Sequence, residues 1–206
     1  MRRCAPIILA AGVLLTGCGQ PLARQQGYET APQDPRRDTG SARSANAEAM
    51  SLIKSDHLDA AEEKLKAALA SDVMFGPAHN NLGTVYYLQK KYYLAAWEFQ
   101  YAANLMPHDP RPKNNLGLVF EAVGQMEKAA DCYDEAIALE PDNPEFIGNS
   151  ARLCARKGGQ PEKLRRLLAE LVAKDTRPEW VRWAREQLAL MGGPPEAAPP
   201  STQPSD

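Results

Sequence analysis

Residues 76–109 read GPAHNNLGTVYYLQKKYYLAAWEFQYAANLMPHD, and residues 110–143 read PRPKNNLGLVFEAVGQMEKAADCYDEAIALEPDN. Laid one on the other, the segments agree where a side chain is constrained. Asn80-Asn81-Leu82-Gly83 returns at the same place in the second segment as Asn114-Asn115-Leu116-Gly117, Ala95 as Ala129, Phe99 as Tyr133, Ala102 as Ala136 and Pro107 as Pro141. A period of this kind marks one supersecondary unit used repeatedly, and such a unit cannot bury its apolar face alone. Stacked units bury a core against their neighbours and leave a long surface exposed, so function is expected in a surface and not in an enclosed pocket.

The recurring residues have physical reasons. Leu82 and Leu116 seat the first helix of each unit, and Gly83 and Gly117 remove a side chain where a second helix must come close. Ala95 and Ala129 do the same on the second helix, while Tyr86, Phe99, Phe120 and Tyr133 fill the space between. Pro107 and Pro141 end the second helix before the next unit begins. With these residues at this spacing, the two units closely resemble tetratricopeptide repeats. The resemblance implies an all-α solenoid of helical hairpins whose first helices line a concave groove.

Projected backward, the frame gives a weaker unit at 42–75, with Ala49 at the glycine position and Ala61, Leu65 and Ala68 on the second helix. Projected forward, it gives a degenerate unit at 144–177, with Ala151 at the glycine position and Cys154 at the aromatic one. Two helices are still expected there, Pro144 to Lys157 and Gln160 to Lys174, divided by Gly158-Gly159. A last helix at 178–191, opened by Thr176 and Glu179 as a reciprocal capping pair, presents Trp180, Ala184, Leu188 and Met191 on one face. It suits a cap over the open end of the stack. For Trp180 and Trp183, packing within that cap and contact with a partner are both open. The expected fold is thus about four repeats plus a C-terminal capping helix.

The ends of the chain differ in character. Arg2 and Arg3 precede the apolar run Ile7 to Leu15, which closes with Leu15-Thr16-Gly17-Cys18. Nine residues of helix reach about 14 Å, too short to span a bilayer, so residues 1–17 read as a targeting segment. The ending resembles the bacterial lipoprotein box. That resemblance implies cleavage before Cys18, a diacylglycerol thioether on its sulfur and acylation of its amino group, with ordinary secretion as the alternative. Several acyl chains would anchor the chain stably, at ~0.8 kcal/mol per buried methylene. Gly19, in place of the aspartate that commonly retains lipoproteins in the inner membrane, implies the outer membrane, facing the periplasm. Residues 18–41 read as the lipidated cysteine and a tether; as a coil the 23 residues after Cys18 span about 25 to 30 Å. The Pro- and Ala-rich segment 192–206 reads as a disordered tail.

Composition excludes several classes. The precursor carries a formal net charge of −2, and loss of Arg2 and Arg3 makes it more negative, so nothing suggests nucleic acid. His57, His79 and His108 fall at unrelated repeat positions and form no ligand spacing for a metal. No phosphate-cradling loop and no nucleophile constellation occur, so neither enzymatic activity nor a small-molecule substrate is expected. No cofactor is expected beyond a covalent lipid on Cys18. Cys132 and Cys154 are read as packing thiols, a disulfide between them being the other option.

The expected partner is a protein or an extended peptide. Asn81, Asn115 and Asn149 recur in phase on the first helices, with Asn80 and Asn114 beside the first two and Asn46 in the leading unit. A primary amide carries a donor and an acceptor and can pair with any peptide backbone, although such asparagines also serve as caps or fit neighbouring turns. Tyr87, Arg111, Arg152 and Arg156 complete the expected groove, with Arg43 in the leading unit, and the guanidinium groups suit a carboxylate-bearing partner. Tyr92, Tyr93, Trp97 and Tyr101 make a second aromatic patch on the second helix of the 76–109 unit. The whole resembles the small tetratricopeptide lipoproteins that assemble pili, secretins or other envelope complexes, such as tight-adherence pilus lipoproteins and type IV pilus pilotins. Service as the regulatory subunit of an envelope hydrolase or protease is the alternative.

Overall fold

Residues 37–192 are described in the computed structural model of the chain, and all regular structure among them is helical. The elements pair as α1 (Thr39–Lys54) with α2 (Leu58–Ser71), α3 (Gly76–Leu88) with α4 (Tyr92–Leu105), α5 (Arg111–Ala122) with α6 (Met126–Leu139), and α7 (Pro144–Lys157) with α8 (Pro161–Lys174). A single helix, α9 (Pro178–Leu190), follows. The leader, Cys18, most of the tether and the tail after Gly192 lie outside the described residues. No described helix is long and apolar enough to cross a membrane.

Each helix packs on the next in sequence, and first helices also meet across pairs, α1 with α3 and α3 with α5. Second helices make few or no such contacts, so the first helices form the closely packed side of the stack, here called its inner face. Small residues permit the close approach. Ala61, Ala95 and Ala129, which share one repeat position, are fully buried, as are Ala68, Ala102 and Ala136, which share another. Leu65, Phe99 and Tyr133 fill the centre of successive hairpins at 0–2% exposure. Truncating an aromatic ring in such a position costs about 3–5 kcal/mol. The fourth hairpin departs from the rule by using Leu167, Leu168 and Leu171 with Ile147 and Ala151, and α9 closes this cluster through Ala184, Trp180 and Leu188.

The turns inside the hairpins show a regularity that residue identity hides. Asp56, Lys90, Gly124 and Gly158, one in each successive unit, all have positive φ, at 59°, 59°, 80° and 73°. A residue of positive φ therefore closes each first helix at one repeat position, although only half of the units place glycine there. A β-carbon is strained in that region, so Lys90→Gly is expected to raise stability by about 1 kcal/mol, measured as the urea midpoint at unchanged slope.

Several expectations need correction. Helix α1 begins at Thr39, ahead of the expected start of the unit at residue 42, because Asp38 accepts the Ser41 N–H at 3.0 Å and caps it. The Thr176–Glu179 capping pair does not form. Asp175 accepts the backbone N–H of Arg177 at 2.9 Å and grips its guanidinium at 2.6–3.2 Å instead. That ion pair holds the Asp175 carboxyl below the usual carboxylate range. Cys132 and Cys154, by contrast, are the separate packing thiols expected and not a disulfide; burial pushes Cys132 up to about 11, too high for an accessible thiolate.

Candidate functional site

The inner face is built from one side of α1, α3, α5 and α7, and its most regular feature is a set of amide contacts between repeats. Asn81 Nδ2 donates to Asn46 Oδ1 at 2.8 Å, Asn115 Nδ2 to Asn80 Oδ1 at 3.1 Å, and Asn149 Nδ2 to Asn114 Oδ1 at 2.9 Å. Every one of these bonds joins residues 35 apart. The paired asparagines thus have separate tasks: the first of each doublet accepts, and the second reaches back to the unit before it. Asn114 also donates to Asn115 at 3.4 Å, linking one step to the next.

This geometry corrects the expectation that all these asparagines line an open groove. Asn46, Asn80, Asn114 and Asn149 are only 1–8% exposed. They are buried polar groups bonded across the repeats, Asn46 by Asn81, Asn80 by Asn115 and Asn114 by Asn149, which is the condition for leaving amides inside a helical stack. Asn81 and Asn115 are half-exposed. Among the described residues nothing donates to Asn81 Oδ1, which leaves an acceptor on the surface.

The arginines are also partly committed. Arg111 forks onto Asp109 in its own loop at 2.5–3.2 Å. The pair holds Asp109 below the ordinary carboxylate range and raises Arg111, in each case mainly by the hydrogen bond. Arg156 lies 3.0 Å from Glu121 Oε1, and Arg152 3.8 Å from the same atom. Arg152 donates to Asn149 Oδ1 at 3.2 Å as well. Of the inner-face arginines proposed from sequence, Arg43 alone has no ion pair among the described residues.

Glu121 is the residue the sequence reading missed. It accepts the Tyr133 hydroxyl at 2.7 Å and holds two arginines, connecting the core of the third hairpin to the surface of the fourth. The Tyr133 phenol is pushed well above its ordinary range, by burial first and then by this carboxylate. Position offered the signal, since Glu121 occupies in the third unit the place that aromatic Tyr87 holds in the second. Tyr87 itself is half-exposed, 5.9 Å from the Tyr92 ring. An unbroken chain of polar contacts therefore runs from Asn80 through Asn115, Asn114, Asn149, Arg152 and Glu121 to Tyr133.

Elsewhere, His79 is a buried strut. Its Nε2 donates to the Val73 carbonyl at 2.8 Å, and its Nδ1 lies 2.6 Å from Glu98, tying the loop before α3 to α4. On the outer side Tyr93 is 95% and Trp97 72% exposed, whereas Tyr92 and Tyr101 are half-buried. No cluster of three metal-ligating side chains occurs among the described residues.

The site can therefore present half-exposed Asn81, Thr84, Tyr87, Asn115, Leu118 and Arg152 on one rigid face. Residues 46–110 and 110–143 match the family described as Tetratricopeptide repeat. Among solved structures, the chain is similar to the first such domain of Spaghetti (RPAP3) bound to an HSP90 peptide, at 18% identity, over 60% of this chain and 98% of that one, TM-score 0.57. It is also similar to Pseudomonas aeruginosa PilF at 21% identity, over 75% of this chain and 78% of that one, TM-score 0.63, and to MamA at 18% identity, over 74% and 83%, TM-score 0.56. Likeness at these identities establishes the fold alone.

Proposed function

From a tetratricopeptide-repeat solenoid with repeats matched across 46–143, we propose a membrane-anchored adaptor whose inner face binds an extended segment of a protein partner in the cell envelope. The observation carrying this reading is the amide network beneath that face. It fixes the register of successive first helices before a partner arrives, and preorganisation lowers the ordering cost of binding. Above it, Asn81 Oδ1 is open to a backbone N–H group, and Tyr87, Leu118 and Arg152 add apolar and cationic contacts.

Leu15-Thr16-Gly17-Cys18 supports anchoring through a lipid on Cys18, and Gly19 favours the outer membrane with the solenoid facing the periplasm. The fold shared with PilF, together with the lipoprotein box, supports a place in assembly of a pilus, secretion or other envelope complex. The test installs a photoreactive residue at Thr84 in the full chain in intact cells, with a second probe at Trp97. Capture of one partner from Thr84 and not from Trp97 is expected, together with labelled palmitate in the wild type and none in Cys18→Ser. Capture from Trp97 alone would overturn the inner-face assignment, and equal label in Cys18→Ser would overturn the anchor.

A further inference from the structure

The amide ladder has a next step that the chain does not take. Acceptors at 46, 80 and 114 and donors at 81, 115 and 149 call for an asparagine at 148 and another at 183. The sequence has Gly148 and Trp183 instead. Helix α9 starts where the first helix of a fifth unit would start, so the inner face continues onto it with a change of chemistry.

Gly148 explains how the change is built. A β-carbon there would lie 3.1 Å from Trp180 Cζ3, so the absence of a side chain lets the indole settle against α7. Trp180 and Trp183 then meet edge to face, their centroids 5.8 Å apart. With Arg152 and Glu179 they line an open cavity of about 250 Å³. Both indoles remain half-exposed, although Ala184 beside them is fully buried.

Arg152 supplies a cation to this cavity beside the indole, with Glu179 its one anion. Its guanidinium lies 5.7 Å from the Trp180 ring. It is the second cation on a single carboxylate, because Glu121 already holds Arg156 at 3.0 Å and the Tyr133 hydroxyl at 2.7 Å, while Arg152 stands off at 3.8 Å. Arg177 lies 5.1 Å from the same ring but is taken by Asp175. Glu179, exposed at the rim, offers an acceptor for a backbone N–H.

We propose that Trp180, Trp183 and Arg152 form an anchor subsite at the C-terminal end of the inner face, which takes a large apolar side chain of the partner segment and pairs Arg152 with a carboxylate beside it. The proposal rests on the inner-face reading above and adds the chemistry of the ligand. Aromatic pockets next to an arginine are where binding energy concentrates in protein interfaces, because the anchor is desolvated while its neighbouring charge is paired.

The experiment titrates the full chain carrying Cys18→Ser with three short capped peptides, Gly-Phe-Asp-Gly, Gly-Ala-Asp-Gly and Gly-Phe-Lys-Gly, and follows the three indole N–H resonances. Phe-Asp is expected to shift the Trp180 and Trp183 signals saturably and leave Trp97 unmoved, with Ala-Asp and Phe-Lys at least tenfold weaker. Trp183→Ala should weaken Phe-Asp at least tenfold, and Arg152→Gln should abolish the preference for Phe-Asp over Phe-Lys. Equal affinities for the three peptides in the wild-type chain, or shifts confined to Trp97, overturn the subsite without using a variant. Capture from Thr84 in cells with no shift at Trp180 or Trp183 would sink the subsite and keep the inner-face reading; the reverse pattern would keep the subsite and sink that reading.

Discussion

Replacing Gly117 by valine is expected to lower the thermal midpoint by about 10 °C, corresponding to about 3 kcal/mol. A β-carbon at 117 would lie 2.6 Å from Tyr133 Cε1 and 2.7 Å from Cδ1, distances no relaxed structure tolerates. The ring must move, and two constraints oppose it. Tyr133 is fully buried, and its hydroxyl is held by Glu121 at 2.7 Å. Moving the ring therefore disturbs the carboxylate that Arg152 and Arg156 share. Gly83 provides the control, because its missing β-carbon faces Phe99 at 2.7 Å, a ring with no hydroxyl to tether it. Gly83→Val should cost less than Gly117→Val. Thermal melts of both variants and of Gly117→Val with Tyr133→Leu provide the test. The double variant should be less destabilised than the sum of its parts, since the smaller side chain vacates the ring's place. A midpoint for Gly117→Val within about 2 °C of wild type would show that the packing is looser than these distances imply.

The repeat frame was legible because it rests on residues whose spacing and size are both constrained. Gly83, Gly117, Phe99 and Tyr133 locate the hairpins, and Pro144 and Pro178 mark the starts of α7 and α9. The start of α1 escaped because Asp38-Thr39-Gly40-Ser41 reads as more polar tether, and only the aspartate's bond to Ser41 N marks it as a cap. The inner face was half legible for a different reason. The repeat period puts equivalent asparagines on one face, but the bonds run one position beyond that period, between the first of one doublet and the second of the next. Similar spacing suggested three equivalent surface groups, when each amide has a directional partner. Pairing across distance was hidden altogether. Nothing local joins Arg152 and Arg156 to Glu121, or Trp180 to Gly148, because these contacts depend on how hairpins stack and not on the period within one.

The ladder itself leads to the second large effect. Asn114→Leu is expected to destabilise the chain by about 3 kcal/mol, although leucine is close in size and apolar. Asn114 is 1% exposed, accepts from Asn149 at 2.9 Å and donates to Asn115 at 3.4 Å. Leucine would leave the buried Asn149 N–H without its acceptor, and a buried unpaired amide costs about 1–3 kcal/mol. Asn115 Oδ1 loses its donor too, but its half-exposed position lets water replace it, so most of the penalty falls on Asn149. A double-mutant cycle separates this account from a simple packing defect. Once Asn114 is leucine, converting Asn149 to leucine removes the stranded donor and should recover about 1 kcal/mol or more relative to additivity. Hydrogen exchange should show the accompanying loss of protection concentrated in α7–α9, beyond the broken step, with α1 and α2 little changed. Additive energies in the cycle, or uniform loss of protection along the chain, would mean that apolar packing alone sets the register and that the amides merely accompany it.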